Sequence, residues 1–248
     1  MARTTRKIVE NDIAYIKVHY RIKKAKDIGA DLGLSINQIY EVARKYGLQQ
    51  PQNIMVKFNR VMDQIILSGI LGDGRLKRNG SKNYYYSECH ALGEKEYLRW
   101  KFDNLGELTK YTKMYGEQLY SKNMNNISSD ALEFTTLTTP SLVKYAEMSN
   151  LEVIEKLDDL GLLLLVFDDG WTQKYKAGHT VYISGGTMTE RELEALSNRC
   201  NSILGITPNI VGNKRKDLRF KASDGHVFEE LSKKYDMDKL DVAIKKFG

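Results

Sequence analysis

Two cysteines, Cys89 and Cys200, are all that 248 residues contain, with no CxxC pair and no Cys/His cluster. A disulfide framework and a structural zinc site are therefore both excluded as organising features, and reduced thiols are expected. Long apolar runs are missing as well. No stretch approaches the roughly 20 uninterrupted apolar residues of a membrane helix, and the opening MARTTRKIVENDI has no apolar core of the kind a secretory signal needs. The expected protein is intracellular, without membrane association. Proline is scarce, and Pro51 and Pro140 fall where a helix should stop and where one should start. With 42% hydrophobic and 28% charged residues, the balance is that of a folding chain.

Acidic charge is thin in one place. Residues 1–60 hold 12 Lys or Arg against 5 Asp or Glu, a local balance of +7 within a total of +6, so everything beyond is nearly neutral. A basic segment attracts polyanions through Coulomb forces and counterion release, and nucleic acid is the first partner to consider. Apolar spacing predicts three short helices here: Asn11 to Tyr20, Ala25 to Leu32, and a third after Ser35. Gly33 supplies the tight turn between the second and third, which is the pattern of a helix-turn-helix. The exposed side of the third helix then places Asn37, Gln38, Glu41, Arg44 and Lys45 toward bases or phosphates. A polar stretch around Pro51 follows, giving a first unit over 1–50 and a linker over 51–57.

From residue 58 the same order of elements occurs twice. Phe58 to Gly72 has helical apolar spacing and ends in Asp73-Gly74; Asn79-Gly80 then marks a hairpin leading into KNYYYSECHAL. An amphipathic helix from Glu94 to Leu108, two strands and a short helix at Pro140 complete repeat one, 58–150. The second copy, 151–248, starts with a helix from Glu152 to Phe167 and Asp168-Asp169-Gly170. It continues through TQKYKAG and HTVYISGG to a helix capped by Thr189 and Glu192. Strands at TPNIVGN and DLRFKAS and a helix from Gly225 to Tyr235 complete it. The fold class is α+β, as two αββαββα repeats preceded by a small all-α unit.

Both long helices, IILSGILGDG and LLLLVFDDG, end in an acidic residue before glycine. A carboxylate at a helix C-terminus opposes the helix dipole, so the same cost appears twice. If the helices pack side by side about a pseudo-twofold axis, Asp73 and Asp169 meet, and a divalent, oxygen-seeking cation relieves their repulsion. Such a cation beside a phosphodiester is suited to hydrolysis.

The two segments resemble the paired motifs of the LAGLIDADG homing endonucleases, in particular the single-chain branch whose second motif ends in Asp-Asp-Gly. The resemblance covers roughly residues 58 to 240, including the helix EKEYLRWKFDNLGEL and the run from TMTERELEALSNRC to SKKY. It implies a β-saddle over double-stranded DNA and Mg²⁺, or Mn²⁺ or Ca²⁺ in its place, held by Asp73 and Asp169. Gly72 and Asp168, one position earlier in each motif, join that metal group, with Asp168 pointing differently on its helix. It further implies a basic residue near each scissile phosphate, matched by Lys216 in the second repeat and Lys122 in the first. A monomer cutting both strands of a long asymmetric target is the implied activity. A non-cleaving DNA-binding regulator and a maturase bound to intron RNA are the alternatives on this fold. The glycine expected early in each motif is replaced, by Ser68 beside Gly69 and by Leu164, which predicts an asymmetric or slightly wider helix interface.

Strand alternation adds a predicted nucleic-acid face: Thr172, Lys174 and Lys176 on one side of TQKYKAG, Arg219 and Lys221 in LRFKA, and Arg75 and Lys77 in the first repeat. His90 and His179 read as hydrogen-bonded polar residues, because a metal-activated water requires no histidine base.

Overall fold

Ser35 and Gly33 set the shape of the N-terminal unit. Helices α1 (Glu10–His19), α2 (Ala25–Leu32) and α3 (Ile36–Lys45) bury Ile16, Ile28, Ile39 and Val42 in a core of their own. Gly33 turns the chain in the left-handed region at φ 65°, a conformation that side chains disfavour. The turn is tight because a Cβ on Gly29 would sit 2.7 Å from the Leu34 carbonyl. Ser35 and Gln38 then form a reciprocal capping box at the start of α3. The computed structural model describes residues 6–20, 23–48, 54–79, 83–110, 112, 114–116, 131–175, 178–213 and 215–247.

The segment expected as a linker ends early. Thr139 donates to the Ile54 carbonyl at 2.5 Å, Ser141 accepts from the Val56 amide at 2.8 Å, and Val56 is buried. Residues 54–57 therefore belong to the body of the first repeat.

That repeat runs α4 (Arg60–Leu71), β1 (Gly74–Asn79), β2 (Asn83–Ala91), α5 (Lys95–Asn104), β3 (Met114–Gly116), β4 (Ala131–Thr135) and α6 (Val143–Ala146). After α7 (Asn150–Lys156), the second runs α8 (Asp159–Asp169), β5 (Gly170–Tyr175), β6 (Gly178–Ser184), α9 (Glu190–Leu204), β7 (Asn209–Val211), β8 (Asp217–Arg219) and α10 (Gly225–Lys234). The two antiparallel sheets have matching orders, β1-β2-β4-β3 and β5-β6-β8-β7. Each begins with an edge strand that leaves directly from a motif helix. One continuous core, including Ile65, Leu163, Val181 and Leu218, joins both repeats.

The expected helix from Glu152 to Phe167 is two helices. Leu157 is extended at ψ 134°, and the Asp158 side chain accepts from the amides of Leu160 and Gly161, which starts α8 afresh. This break lets α7 and α8 take separate directions. Ion pairs and amides then lock the starts of the motif helices together. Arg60 of α4 binds Asp158 at 2.6 Å and Asp159 at 2.8 Å, while Gln64 exchanges hydrogen bonds with Lys156 and Asp158.

A final helix, α11 (Asp241–Phe247), was not anticipated. Asp241 accepts from the Glu96 and Tyr97 amides at the start of α5, and the Lys246 carbonyl accepts from Thr172 of β5 at 2.6 Å. It thus spans from repeat one to repeat two behind the ends of the motif helices. No helix among the described residues is long and apolar enough to cross a membrane.

Candidate active site

Close approach at the ends of α4 and α8 is what creates the site. A Cβ on Gly72 would lie 2.9 Å from the Asp168 Cβ and 3.4 Å from Asp169 Oδ2, so only glycine fits. The helix interface is therefore not wide at this end. Asp73 lies two residues beyond α4, whereas Asp169 is the last residue of α8.

Burial pushes both carboxyls up to about 6, helped at Asp169 by the charges of Asp73 and Asp168 and at Asp73 by Asp168. Among the described residues neither carboxylate accepts a hydrogen bond; the nearest cation to Asp73 is His90, with Nδ1 at 3.8 Å. Two crowded carboxylates with free lone pairs are a hard-oxygen donor set, and they fit a divalent cation such as Mg²⁺ or Ca²⁺.

Asp168 is placed quite differently. Its side chain has no solvent exposure, takes both oxygens to Lys101 at 2.7 and 2.8 Å, and accepts from Tyr97 at 2.6 Å. Lys101, equally buried, also binds Glu88. His90 completes the group, with Nε2 on Glu88 at 2.8 Å and Nδ1 on Glu94 at 3.1 Å. Burial disfavours the imidazolium, but the bonds to Glu88 and Glu94 outweigh it and push His90 up to about 10. Glu88 stays below the usual carboxylate range because Lys101 and His90 overcome the burial that would raise it.

This network decides which groups can ligate. Ligand atoms of Asp73, His90 and Asp168 come within 4.8 Å of one another, yet both ring nitrogens of His90 are engaged by Glu88 and Glu94, and both oxygens of Asp168 by Lys101. Asp73 and Asp169 are the free pair. Asp168, grouped in the sequence with the metal-holding residues, is instead engaged by Lys101 and Tyr97, and Gly72 contributes close approach and no side-chain ligand. The histidine was expected to be satisfied by hydrogen bonds, and it is.

Glu88, Tyr97 and Lys101 were not anticipated. Their signal lay in phase: Tyr86, Glu88 and His90 alternate along β2 on one face, and Tyr97, Leu98, Lys101 and Leu105 share one side of a helical turn. Charged residues in core-phase positions mark such a network.

The basic residue expected in the second repeat is held in an ion pair. Lys216 reaches Glu190 at 2.6 Å, in the first turn of α9. Its neighbour Arg215 donates to the Ser184 hydroxyl, and its charge, with that of Lys246, acts on Asp169 against the rise. Lys246 donates to the Gly170 carbonyl. Lys122 and Lys176 lie outside the described residues.

Cross-strand register sorts the predicted nucleic-acid face, since directly opposed residues share a face. Arg75 opposes Ser87 and Lys77 opposes Tyr85, away from the Leu76–Tyr86 pair in the core. Both point to the open face, as expected. Arg219 does too, opposite Tyr182 and next to core residue Leu218. Lys174 does not. Thr172 opposes the fully buried Val181 and Lys174 opposes His179 on that same side, so the open face of β5 carries Trp171, Gln173 and Tyr175 instead. Lys221 follows the strand, where its backbone amide donates to Asp224 at the start of a 3-10 turn.

On α3, Asn37, Glu41, Arg44 and Lys45 are exposed. Gln38 is consumed by its cap, its Oε1 bound to Ser35 and its Nε2 donating to the Arg6 carbonyl at 2.7 Å. Ile36 and Tyr40 are exposed on the same helix, so Ile36 is not part of the core that apolar spacing assigns it to.

Trp171 was also missed. Its ring, 44% exposed, lies flat on that of Tyr182, with centroids 3.8 Å apart and planes 2° from parallel.

The homing endonuclease I-WcaI bound to its DNA recognition sequence has the same fold, at a TM-score of 0.59 and 16% identity over 88% of this chain and 96% of that one. An I-DmoI variant in complex with its nicked target DNA in the presence of manganese matches at 0.46, with 19% identity over 68% of this chain and 93% of that one. The N-terminal LAGLIDADG domain of DUF199/WhiA matches at 0.43, with 16% identity over 73% and 88%. No curated protein matches the chain. The family model described as the LAGLIDADG DNA endonuclease family matches residues 63–228, about two thirds of the sequence, and the chain belongs to that family.

Proposed function

We propose that this protein is a site-specific endonuclease that hydrolyses both strands of a long, asymmetric double-stranded DNA, with Mg²⁺ held between Asp73 and Asp169. The supporting observation is the contrast between those two carboxylates, crowded and accepting no hydrogen bond among the described residues, and Asp168, which is ion-paired with Lys101. Crowding two carboxylates raises their energy, and a bound divalent cation removes that cost. A bound divalent ion would supply Lewis-acid activation of water and neutralise charge on the scissile phosphate. The chain's own part is to hold Asp73 and Asp169 in fixed relation through Gly72, and to place Arg215 and Lys246 around Asp169. Arg215 takes the role the sequence reading gave to Lys216, since Glu190 already engages the latter.

Arg75, Lys77 and Arg219 lie on the open faces, where they can meet phosphates and base edges. We assign α1–α3 as a helix-turn-helix module that adds Asn37, Arg44 and Lys45 to the contact, and a single chain suffices because it carries both motifs.

The test is selection of cleaved duplexes from a randomised library with the full chain and Mg²⁺. Asp73→Asn and Asp169→Asn should each lower cleavage on the order of a thousandfold, the equivalent of several kcal/mol of transition-state stabilisation, while duplex affinity stays. A wild-type chain that binds a duplex tightly and leaves it uncut under every divalent ion tried would overturn the enzymatic reading.

A further inference from the structure

The stacked pair Trp171–Tyr182 has no part in the scheme above. β5 is an edge strand, so Tyr182 of β6 covers one face of the indole and the other looks off the sheet edge. The indole stands two residues after Asp169 and one after Gly170, whose carbonyl is held by Lys246. Tyr182 itself is only 9% exposed, lying in a cross-strand row with Trp171 on one side and Arg219 on the other. The matching row of repeat one, Arg75, Ser87 and Thr135, contains no ring.

An exposed indole that is buttressed flat, two residues after Asp169, is a surface for another flat ring. We propose that Trp171 is a stacking platform for one unpaired or unstacked nucleobase of the DNA beside the scissile phosphates, with Tyr182 fixing its plane and Arg219 holding the adjoining backbone. This rests on the reading that the open faces bind DNA. Every base has a π-face, so the platform favours locally opened DNA over any particular base, and it acts on one half of the duplex only.

The experiment uses the full chain without divalent ion and two duplexes of the sequence recovered in the cleavage selection, one fully paired and one with a single bulged 2-aminopurine at its centre. The wild type should bind the bulged duplex on the order of tenfold more tightly and quench its fluorescence. Trp171→Phe should keep most of both effects. Trp171→Leu, which still covers Tyr182 but offers no π-face, should abolish the quenching and bring the two affinities together while thermal stability is kept. Equal wild-type affinity for the two duplexes, or undiminished preference and quenching in Trp171→Leu, overturns the platform. Failure of the wild type to bind either duplex overturns the DNA-binding reading itself, and the platform with it.

Discussion

The two repeats share topology and register, yet they put their charges in opposite places. Repeat one buries Glu88, His90 and Lys101 beneath its sheet; at the register position of Glu88, repeat two has Ile183, and the buried residues of α9 are Leu193, Leu196, Ser197 and Cys200. On the open face the order reverses. The inner edge strand of repeat one presents Arg75 and Lys77, while that of repeat two presents Trp171, Gln173 and Tyr175. A matching backbone thus serves two different chemistries. The halves are also not self-sufficient, because Lys101 of the first neutralises Asp168 of the second.

The most damaging way to probe this asymmetry is through the buried ions. Lys101→Met leaves Glu88 and Asp168 without their shared ammonium, and loss of one partner from a buried ionic group costs about 3–5 kcal/mol. Ile183→Val, at the matched place in repeat two, removes a single methyl from an apolar core and should cost about 1 kcal/mol. Urea denaturation of the two variants compares them directly. Adding Glu88→Gln to Lys101→Met should recover part of the loss. Similar losses in the two single variants would mean that the ionic core of repeat one is not specially organised.

The next effect is smaller and runs against intuition. Asp73 and Asp169 have folded pKa values raised to about 6 from 3.8. Between about pH 4 and pH 6 the folded chain therefore holds protons that the unfolded chain releases, and stability falls as pH rises through that window. Solvent reaches Asp73, whose side chain is 41% exposed, so its share is screened. Without divalent ions, Asp169→Asn should melt a few degrees above the wild type at pH 7.5 and level with it at pH 4. Adding Mg²⁺ at pH 7.5 should raise the wild type and leave the variant unmoved. A variant less stable than the wild type at neutral pH without metal would refute the crowding of these carboxylates.

Much of this was readable from residue order. The repeated helix ends placed Asp73 and Asp169 together, and Gly33 and Ser35 placed α2 and α3. What escaped did so for definable reasons. Lys101 sits in EKEYLRWKFDN, where one lysine among many charges reads as solvated, although its spacing from Tyr97 and Leu105 puts it inside. Alternation fixed which residues of TQKYKAG share a side but not which side faces the core. An edge strand with polar residues on both sides carries no such signal, and the pairing of Thr172 with Val181 decides it. Lys216 and Arg215 differ by one position, and in a strand approach one position exchanges the two faces. The division between α7 and α8 turned on a single cap at Asp158.

The surface half of the comparison predicts the smallest effects, and it is separable by salt. A cation that meets a phosphate releases counterions on binding, so each contributes about 0.9 to the slope of log affinity against log salt. Replacing Arg75 and Lys77 together by alanine should therefore flatten the slope by about 1–2 and weaken binding most at low salt. Removing the aromatic side chains of Trp171 and Tyr175 takes away apolar and stacking contact but no charge. Affinity should fall by a similar factor at every salt concentration, and the slope should remain. Fluorescence anisotropy with one labelled duplex over a salt series measures both variants on the same axis. If the aromatic variant flattens the slope, or the cationic variant loses affinity uniformly, then the open faces are not divided between charge and stacking in the way the two edge strands suggest.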